Sequence, residues 1–269
     1  MTSRIPGVLG GFASALASGG IRVVDLTQTL SSAFPTIVLP APFGQARSFE
    51  LEEISRYDER GPNWYWNNFC CSEHTGTHFD APIHWITGRD LPNNAVDTVA
   101  VGDFIAPACV IDCSEQAAAD PDYLMTVADI ENHEKQHGRI PEGWWALMRT
   151  DWSKRTDPEA FVNRDHNGPH TPGPSEDAVR LLVHDRKVMG FGTEALSTDA
   201  GMAGGFSVPH PCHSLVHGAG RHGLQCLTNL DQLPPQGALI VCPALKILNG
   251  SGSPVRVLAL VEGAAASSR

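Results

Sequence analysis

The chain has 269 residues, a length that allows one large domain or two small ones. Of these residues, 42% are hydrophobic and 18% are charged, which is the composition of an ordinary globular protein. Its formal net charge of −11 argues against nucleic-acid binding, which needs clustered Lys and Arg, and against attraction to anionic membranes. No apolar stretch approaches the roughly 18 residues of a membrane-spanning helix.

The seven cysteines indicate reduced thiols in a cytoplasmic protein. Their number is odd, they form no CxxC pair, and most of them lie in apolar runs. The apolar block at residues 7–13 is interrupted by glycines and is too short for a signal peptide. We therefore expect a cytoplasmic location.

The first half of the chain predicts mostly strands. In chain order we expect a short helix over residues 10–18, strands over 21–26, 48–55, 64–72 and 107–113, and a helix over 126–137. Thr126 and Asp129 form a capping box at the start of that helix. A cluster of histidines directly follows the third of these strands.

The second half predicts strands alternating with helices. We expect a strand over 144–150, a loop over 163–174, a helix over 175–184, a strand over 188–191, a glycine-rich segment over 193–211, a short helix carrying His213 and His217, and strands over 239–242 and 255–261. His166 and His170 in the loop are predicted to lie at the surface or behind a site. Because repeats and a linker are lacking, residues 1–269 are predicted to form one α/β domain.

The histidine cluster is the strongest chemical signal in the sequence. His74, His78 and Asp80 offer two nitrogens and one oxygen, a mixed set that suits Zn²⁺ or Mn²⁺ and leaves coordination positions open. Gly76 lies between two threonines, and Pro82 favours an extended Ala81, so we expect a strand end and a tight loop rather than a helix. The cluster therefore predicts a metal or catalytic site.

His84 lies four residues beyond Asp80 and has a different predicted role. A single histidine is usually structural or solvated, but an imidazole beside a metal-activated water is a natural general base. Trp64 and Trp66, at the start of the preceding strand, belong either to the core or to the wall of a site for a flat substrate.

The run from Glu73 to His84, EHTGTHFDAPIH, resembles the metal-dependent hydrolases of the cyclase family. This family includes kynurenine formamidases, isatin hydrolases and a dienelactone hydrolase, and the likeness is greatest to the isatin hydrolases. The similarity extends over nearly the whole chain, through the segments HWITG at 84–88, RTDW at 149–152, GPH at 168–170, TDAG at 198–201 and NLD at 229–231.

The resemblance implies a fold, a metal site and an assembly. The fold would be a central β-barrel-like mixed sheet with flanking helices, and the protein would form homodimers or homotetramers. His74, His78 and Asp80 would be the metal ligands and His84 the catalytic base. The ion would be Mn²⁺, with Zn²⁺ as the alternative.

The resemblance also bears on the number of metal ions. In binuclear formamidases, a histidine in the last third of the chain and a glutamate twelve residues later hold a second zinc. His213 matches that histidine, but Gln225 occupies the position of the glutamate, and a neutral amide is a poor substitute for a carboxylate. We therefore expect one metal ion per chain, with His213, Gln225 and Cys226 behind the ligands or along a water path.

The implied reaction is the opening of a cyclic amide by metal-activated water, with isatin as the expected substrate and isatinate as the product. Four aromatic residues would suit such a flat bicyclic substrate: Trp64, Trp66, Phe79 and Trp85. An arylformamidase acting on N-formylkynurenine, or a lactone hydrolase, would use the same site. A protein that binds a structural metal without chemistry is a third interpretation, although structural zinc sites normally have four ligands and this cluster supplies three.

Overall fold

A computed structural model describes residues 7–263. The strands are β1 Ile21–Asp25, β2 Glu50–Arg56, β3 Tyr65–Cys70, β4 His78–Asp80, β5 Ile105–Asp112, β6 Leu124–Met125, β7 Trp145–Arg149, β8 Arg164–Asp165, β9 Gly168–Pro169, β10 Gly173–Pro174, β11 Gly190–Thr193, β12 His222–Gln225, β13 Gln236–Val241, β14 Gly252–Pro254 and β15 Leu258–Glu262. The α-helices are α1 Val8–Ser18, α2 Ser114–Ala119, α3 Val127–His137, α4 Pro158–Val162 and α5 Glu176–Arg180.

Several further turns of helix are short. Leu181–Asp185 and Cys212–Val216 are π-helical, and the 3₁₀ segments are Pro82–His84, Val101–Phe104, Trp152–Lys154, Ala203–Gly205 and Leu230–Gln232. The π-helical segment at Leu181–Asp185 continues α5, so together they correspond to the helix predicted over 175–184. Within residues 7–263, every helix is too short or too polar to span a lipid bilayer.

Nine strands form one mixed sheet in the order β1-β15-β13-β5-β7-β11-β12-β4-β14. The four central strands β5, β7, β11 and β12 run parallel, and the strands on both sides pair antiparallel. The sheet curls into a half-barrel, which confirms the predicted barrel-like mixed sheet with helices. Its strands come from residues 21 to 262, so almost the whole described chain contributes to it.

Side chains of the central strands alternate between two hydrophobic cores. On β7, Trp145 and Leu147 belong to one core, and Ala146 and Met148 belong to the other. This alternation follows from the pleat of a strand whose two faces are both covered. The second core is completed by α3, α5 and the two π-helical segments, so these helices form a layer over one face of the sheet.

The helices predicted over residues 126–137 and 175–184 both begin with a side-chain cap, and the capping box predicted for the first is confirmed. Thr126 and Asp129 make a reciprocal capping box at the start of α3, and the Ser175 hydroxyl accepts a hydrogen bond from the Ala178 amide at the start of α5. Strands β12 and β14 were missed in the sequence, because the glycines in them interrupt any alternating apolar pattern.

Strands β2 and β3 form a separate two-stranded ribbon rather than joining the main sheet. Most of their side chains are exposed. The ribbon returns the chain to residues 71–77, which lead directly into β4. The predicted strand over 64–72 therefore exists, but its aromatic residues lie on a largely exposed ribbon that is separate from the main sheet.

Candidate active site

Strand β4 presents two of the three candidate ligands on one face. Gly76 has a positive φ of 67°, which turns the chain into the strand, and Pro82 begins the 3₁₀ turn that follows. Between them, His78 and Asp80 point to the same side of the sheet because alternate residues of a strand share a face. Phe79 points the opposite way. The local sequence therefore fixes the directions of both ligands.

The donor atoms of the cluster face one another. His74 Nδ1 lies 2.7 Å from Asp80 Oδ1, and His78 Nε2 lies 3.4 Å from the same oxygen. The other ring nitrogen of His78 donates to the Gly76 carbonyl at 2.7 Å, which leaves Nε2 free as a ligand. One donor atom from each of the three residues lies within 4.8 Å of the others. Two imidazole nitrogens and a carboxylate oxygen at this separation fit a divalent metal ion.

The electrostatics of the cluster favour a cation. Burial alone would raise the pKa of the Asp80 carboxyl, but the imidazoles of His78, His84 and His74 hold it well below its usual range. Burial lowers the pKa of His78 to about 4, against the opposing charge of Asp80. At neutral pH the cluster therefore has a buried Asp80 carboxylate beside the neutral imidazoles of His78 and His84, and metal binding requires ligands in these forms.

Residues of the neighbouring strand β12 also contact the Asp80 carboxylate. The Gln225 amide nitrogen donates a hydrogen bond to Asp80 Oδ2, and His217 Nε2 lies 4.0 Å from the same oxygen. Gly223 pairs with Asp80 across the two strands, and a Cβ at Gly223 would lie 3.0 Å from Oδ2. A glycine at this position lets β12 approach the carboxylate closely.

His84 lies on the 3₁₀ turn that follows β4, beside the ligand cluster. Its ring is 5.5 Å from that of His213, measured between centroids. Burial lowers the pKa of His84 to about 2, aided by the other imidazoles and opposed by Asp80. His84 is therefore a neutral ring and a possible proton acceptor.

His213 has a carboxylate partner. Its Nδ1 lies 2.5 Å from Asp199 Oδ2, and Asp199 also accepts hydrogen bonds from the amides of Cys212 and His213. Although burial lowers the pKa of His213, the hydrogen bond and charge of Asp199 raise it overall. Asp80, His84 and His213 also form a second group of donors within 4.8 Å.

These imidazoles open into a cavity of about 440 Å³. His74, His78, His84 and His213 line it together with apolar residues such as Ile37 and Leu196. A larger cavity of about 720 Å³ is lined in part by residues 69–73, but its charged residues all have partners: Asp25 and Arg256 form an ion pair, and Glu73 accepts hydrogen bonds from Ser251. The smaller cavity is therefore the candidate active site.

The cavity contains some of the predicted substrate contacts and leaves out others. Trp85, Gln225 and Cys226 line it. Phe79 is fully buried in the hydrophobic core with Phe104 and Trp145, so the expectation that it contacts substrate is corrected. The reason is the strand pleat, which turns Phe79 away from the face that carries His78 and Asp80.

Trp64 and Trp66 are also outside the cavity wall. Both belong to the ribbon region, where they are 48% and 54% exposed. Their exposure rules out the core alternative, and their role at the wall of a substrate site stays a prediction. The loop histidines lie near the surface: His166 is exposed, and His170 pairs with Asp122 and Asp165.

Sequence reasoning missed several residues at the site. Asp199 is fully buried against His213, and His217 is buried beside Asp80. The four-residue spacing of His213 and His217 was a signal for the second of these. Ser251 contacts His74 Nε2 at 2.9 Å and gave no signal, because a lone serine in a glycine-rich segment resembles an ordinary turn.

Several proteins of known activity or structure are similar to this chain. It is 47% identical to the isatin hydrolase of Roseibium aggregatum over 258 residues, which is 95% of this chain and 98% of that protein. The solved structure of isatin hydrolase A from Ralstonia solanacearum superposes with a TM-score of 0.95 at 58% identity, covering 97% of this chain and all of that one. An isatin hydrolase bound to the product analogue thioisatinate superposes with a TM-score of 0.93 at 46% identity, with 97% and 100% coverage. Because the family model described as "Putative cyclase" matches residues 24–200, the chain belongs to the cyclase family.

Proposed function

We propose that this enzyme hydrolyses isatin to isatinate by attack of metal-activated water on the cyclic amide. The observation that carries this function is the isatin-hydrolase identity of 47% over nearly the whole chain, in a protein whose histidine cluster opens into a cavity. The cavity volume of about 440 Å³ is within the usual range for small-molecule sites.

The metal ion would be held by His74 Nδ1, His78 Nε2 and Asp80 Oδ1. A divalent ion bound there polarises a substrate carbonyl and activates water for attack at neutral pH. The donor set of two nitrogens and one oxygen accepts either Mn²⁺ or Zn²⁺, and we propose Mn²⁺. Three protein ligands leave coordination positions open, which suits a catalytic site better than a structural one.

One ion per chain is part of the proposal. The Gln225 amide engages Asp80 Oδ2, one of the two oxygens through which Asp80 could join His84 and His213 around a second ion. An amide nitrogen that donates a hydrogen bond to a carboxylate oxygen occupies that oxygen, but the nitrogen itself is not a metal ligand. The amide therefore supports a mononuclear site.

Proton transfer is assigned to His84 and His213. His84 is neutral and lines the cavity next to the ligands, so it is placed to accept the proton of the attacking water. His213, backed by Asp199, is the better proton donor of the pair and is suited to protonate the leaving ring nitrogen. Hydroxide adds to the amide carbon, the ring C–N bond breaks, and the product has a carboxylate and a free arylamine.

Trp85 supplies a flat wall for a bicyclic substrate. Its ring lies 4.7 Å from that of His213 between centroids, and its Nε1 donates to the Ser214 hydroxyl at 3.2 Å. The hydrogen bond fixes the indole beside the proton-donating imidazole. An aromatic substrate stacked there would have its amide directed toward the histidine cluster.

The assembly is proposed to be a homodimer, or a homotetramer built from it, through the β2–β3 ribbon. Leu51, Trp66 and Phe69 on this ribbon are 57%, 54% and 62% exposed. Such a concentration of apolar surface on a thin ribbon is typical of a surface that another subunit covers. We also place the enzyme in the cytoplasm, since all seven cysteines are free thiols.

The substrate assignment is tested with purified protein reconstituted with Mn²⁺. Isatin, N-formylkynurenine and an aromatic lactone are compared by kcat/KM under one set of conditions. We expect isatin to be preferred by about 10²-fold or more, since a site built for one acyl bond discriminates against others. A preference for N-formylkynurenine would identify an arylformamidase, and metal binding without turnover of any of the three would indicate a non-catalytic metal protein.

A further inference from the structure

A short segment far along the chain contacts the ring of the metal ligand His74. Ser251, 177 positions later, places its hydroxyl oxygen 2.9 Å from His74 Nε2. The same hydroxyl lies 2.6 Å from Glu73 Oε2, and the Ser251 amide donates to that oxygen at 3.1 Å. Glu73, Ser251 and His74 therefore form a continuous hydrogen-bonded series that ends on a ligand.

The direction of each hydrogen bond follows from the chemistry of the groups. A carboxylate only accepts, so the single hydroxyl proton of Ser251 is donated to Glu73. The Ser251 oxygen must then accept from His74, which places the ring proton on Nε2. This tautomer leaves Nδ1 of His74 with a free lone pair, and Nδ1 is the atom that faces Asp80 Oδ1 at 2.7 Å. A metal ion held at this position would bind through this lone pair and the Asp80 oxygen.

The backbone holds this series rigidly. The Ser251 carbonyl accepts from the Ala81 amide at 2.9 Å, and Gly252 pairs with Asp80 where β14 joins β4. A Cβ at Gly252 would lie 2.6 Å from His74 Cε1 and 2.6 Å from the Phe79 carbonyl oxygen. Glycine is therefore required for the segment to lie against the ring.

We propose that Glu73 and Ser251 are positioning residues that select the His74 tautomer and strengthen its Nδ1 as a metal ligand. This assignment rests on the proposed metal site and adds to it two residues that do not contact the ion. Partners of this kind orient ligating histidines, and their loss typically costs about 10- to 100-fold in metal affinity.

The affinity for Mn²⁺ tests the proposal without reference to activity. Free Mn²⁺ is titrated by electron paramagnetic resonance against wild type, Ser251→Ala, Glu73→Gln and the double variant, with the exposed Glu59→Gln as the matched control. We expect both single variants to bind Mn²⁺ about 10- to 100-fold more weakly than the wild type. The control should bind Mn²⁺ with the affinity of the wild type. Because the two residues act in series, the double variant should bind no more weakly than Ser251→Ala.

A second measurement separates positioning from structural damage. In ¹⁵N NMR of Zn²⁺-loaded protein, the wild type should show His74 protonated at Nε2, with a proton protected from exchange, and Ser251→Ala should lose that protection. Unfolding midpoints of the metal-free variants should match the control. Affinities within threefold of wild type with an unchanged His74 proton would overturn the proposal. Wild-type protein that binds no metal would overturn the proposed site, and the role of Glu73 and Ser251 with it.

Discussion

The imidazole rings of His74 and His84 stack, with 3.8 Å between their centroids and 29° between their planes. One is a proposed metal ligand and the other the proposed base. Because the rings are in contact, a change at either position can affect metal binding and proton transfer together. Experiments on this site must therefore measure metal content and turnover on the same samples.

The ligand assignment predicts a joint loss of metal and activity. His74→Ala, His78→Ala and Asp80→Ala should each lower metal occupancy, because each removes one of three protein donors. Elemental analysis after dialysis measures the occupancy, and isatin hydrolysis is assayed on the same preparations. The exposed His166→Ala is the control and should retain both. Full metal content in any of the three variants would exclude that residue as a ligand.

Gln225 is predicted to limit the site to one ion. Wild-type protein should retain one metal equivalent per chain after dialysis against a weak chelator. Gln225→Glu should increase binding of a second ion, because it converts the hydrogen-bond donor on Asp80 into a carboxylate near His213. Two retained equivalents in the wild type would contradict the mononuclear proposal, and unchanged stoichiometry in Gln225→Glu would contradict the role of Gln225 as the residue that sets the limit.

The Asp199–His213 pair is predicted to matter for turnover rather than for metal binding. Asp199→Asn should lower kcat by about 10²-fold, the lower end of what a positioned acid–base group contributes, and leave metal content unchanged. Asp103→Asn is a matched control, since Asp103 contacts His222 at 3.3 Å outside the cavity. If the two variants lose equal activity, His213 has no specific role as a proton donor.

The exposed ribbon is predicted to hold the subunits together. Leu51→Asp combined with Phe69→Asp should weaken self-association by about 100-fold or more, because charged groups would replace two apolar side chains that lie opposite each other on one face of the ribbon. Sedimentation velocity over a range of concentrations measures the dissociation, and Glu52→Gln on the same ribbon is the control. A wild-type protein that is monomeric at every concentration would remove the basis of this prediction.

The part of the site that sequence predicts is the part built from consecutive residues. His74, His78, Asp80 and His84 lie within eleven residues, so strand and turn geometry alone bring them close. The direction of Phe79 was equally predictable, since it alternates with His78 and Asp80 on the same strand. The expectation that Phe79 contacts substrate relied on its aromatic character and overlooked the alternation of side chains along the strand.

The remaining site residues depend on long-range pairing. Gln225 reaches Asp80 because β12 lies beside β4 in one particular register, and Ser251 reaches His74 because β14 lies on the other side. Local patterns do not encode which strands become neighbours. For the same reason the strand at 65–70 was predicted correctly, while its separation from the main sheet was not.

The most direct test of the account is a paired measurement of metal content and isatin hydrolysis in wild type and His84→Ala. The variant keeps all three ligands, so it should keep its metal and lose about 10²- to 10⁴-fold in turnover, the usual contribution of a positioned acid–base group. His84→Asn keeps a polar side chain in contact with His74 in place of the imidazole, and it should behave in the same way. A variant that keeps its metal and hydrolyses isatin at the wild-type rate would show that His84 is not the base. A metal-loaded wild type that opens no isatin would contradict the proposed function itself.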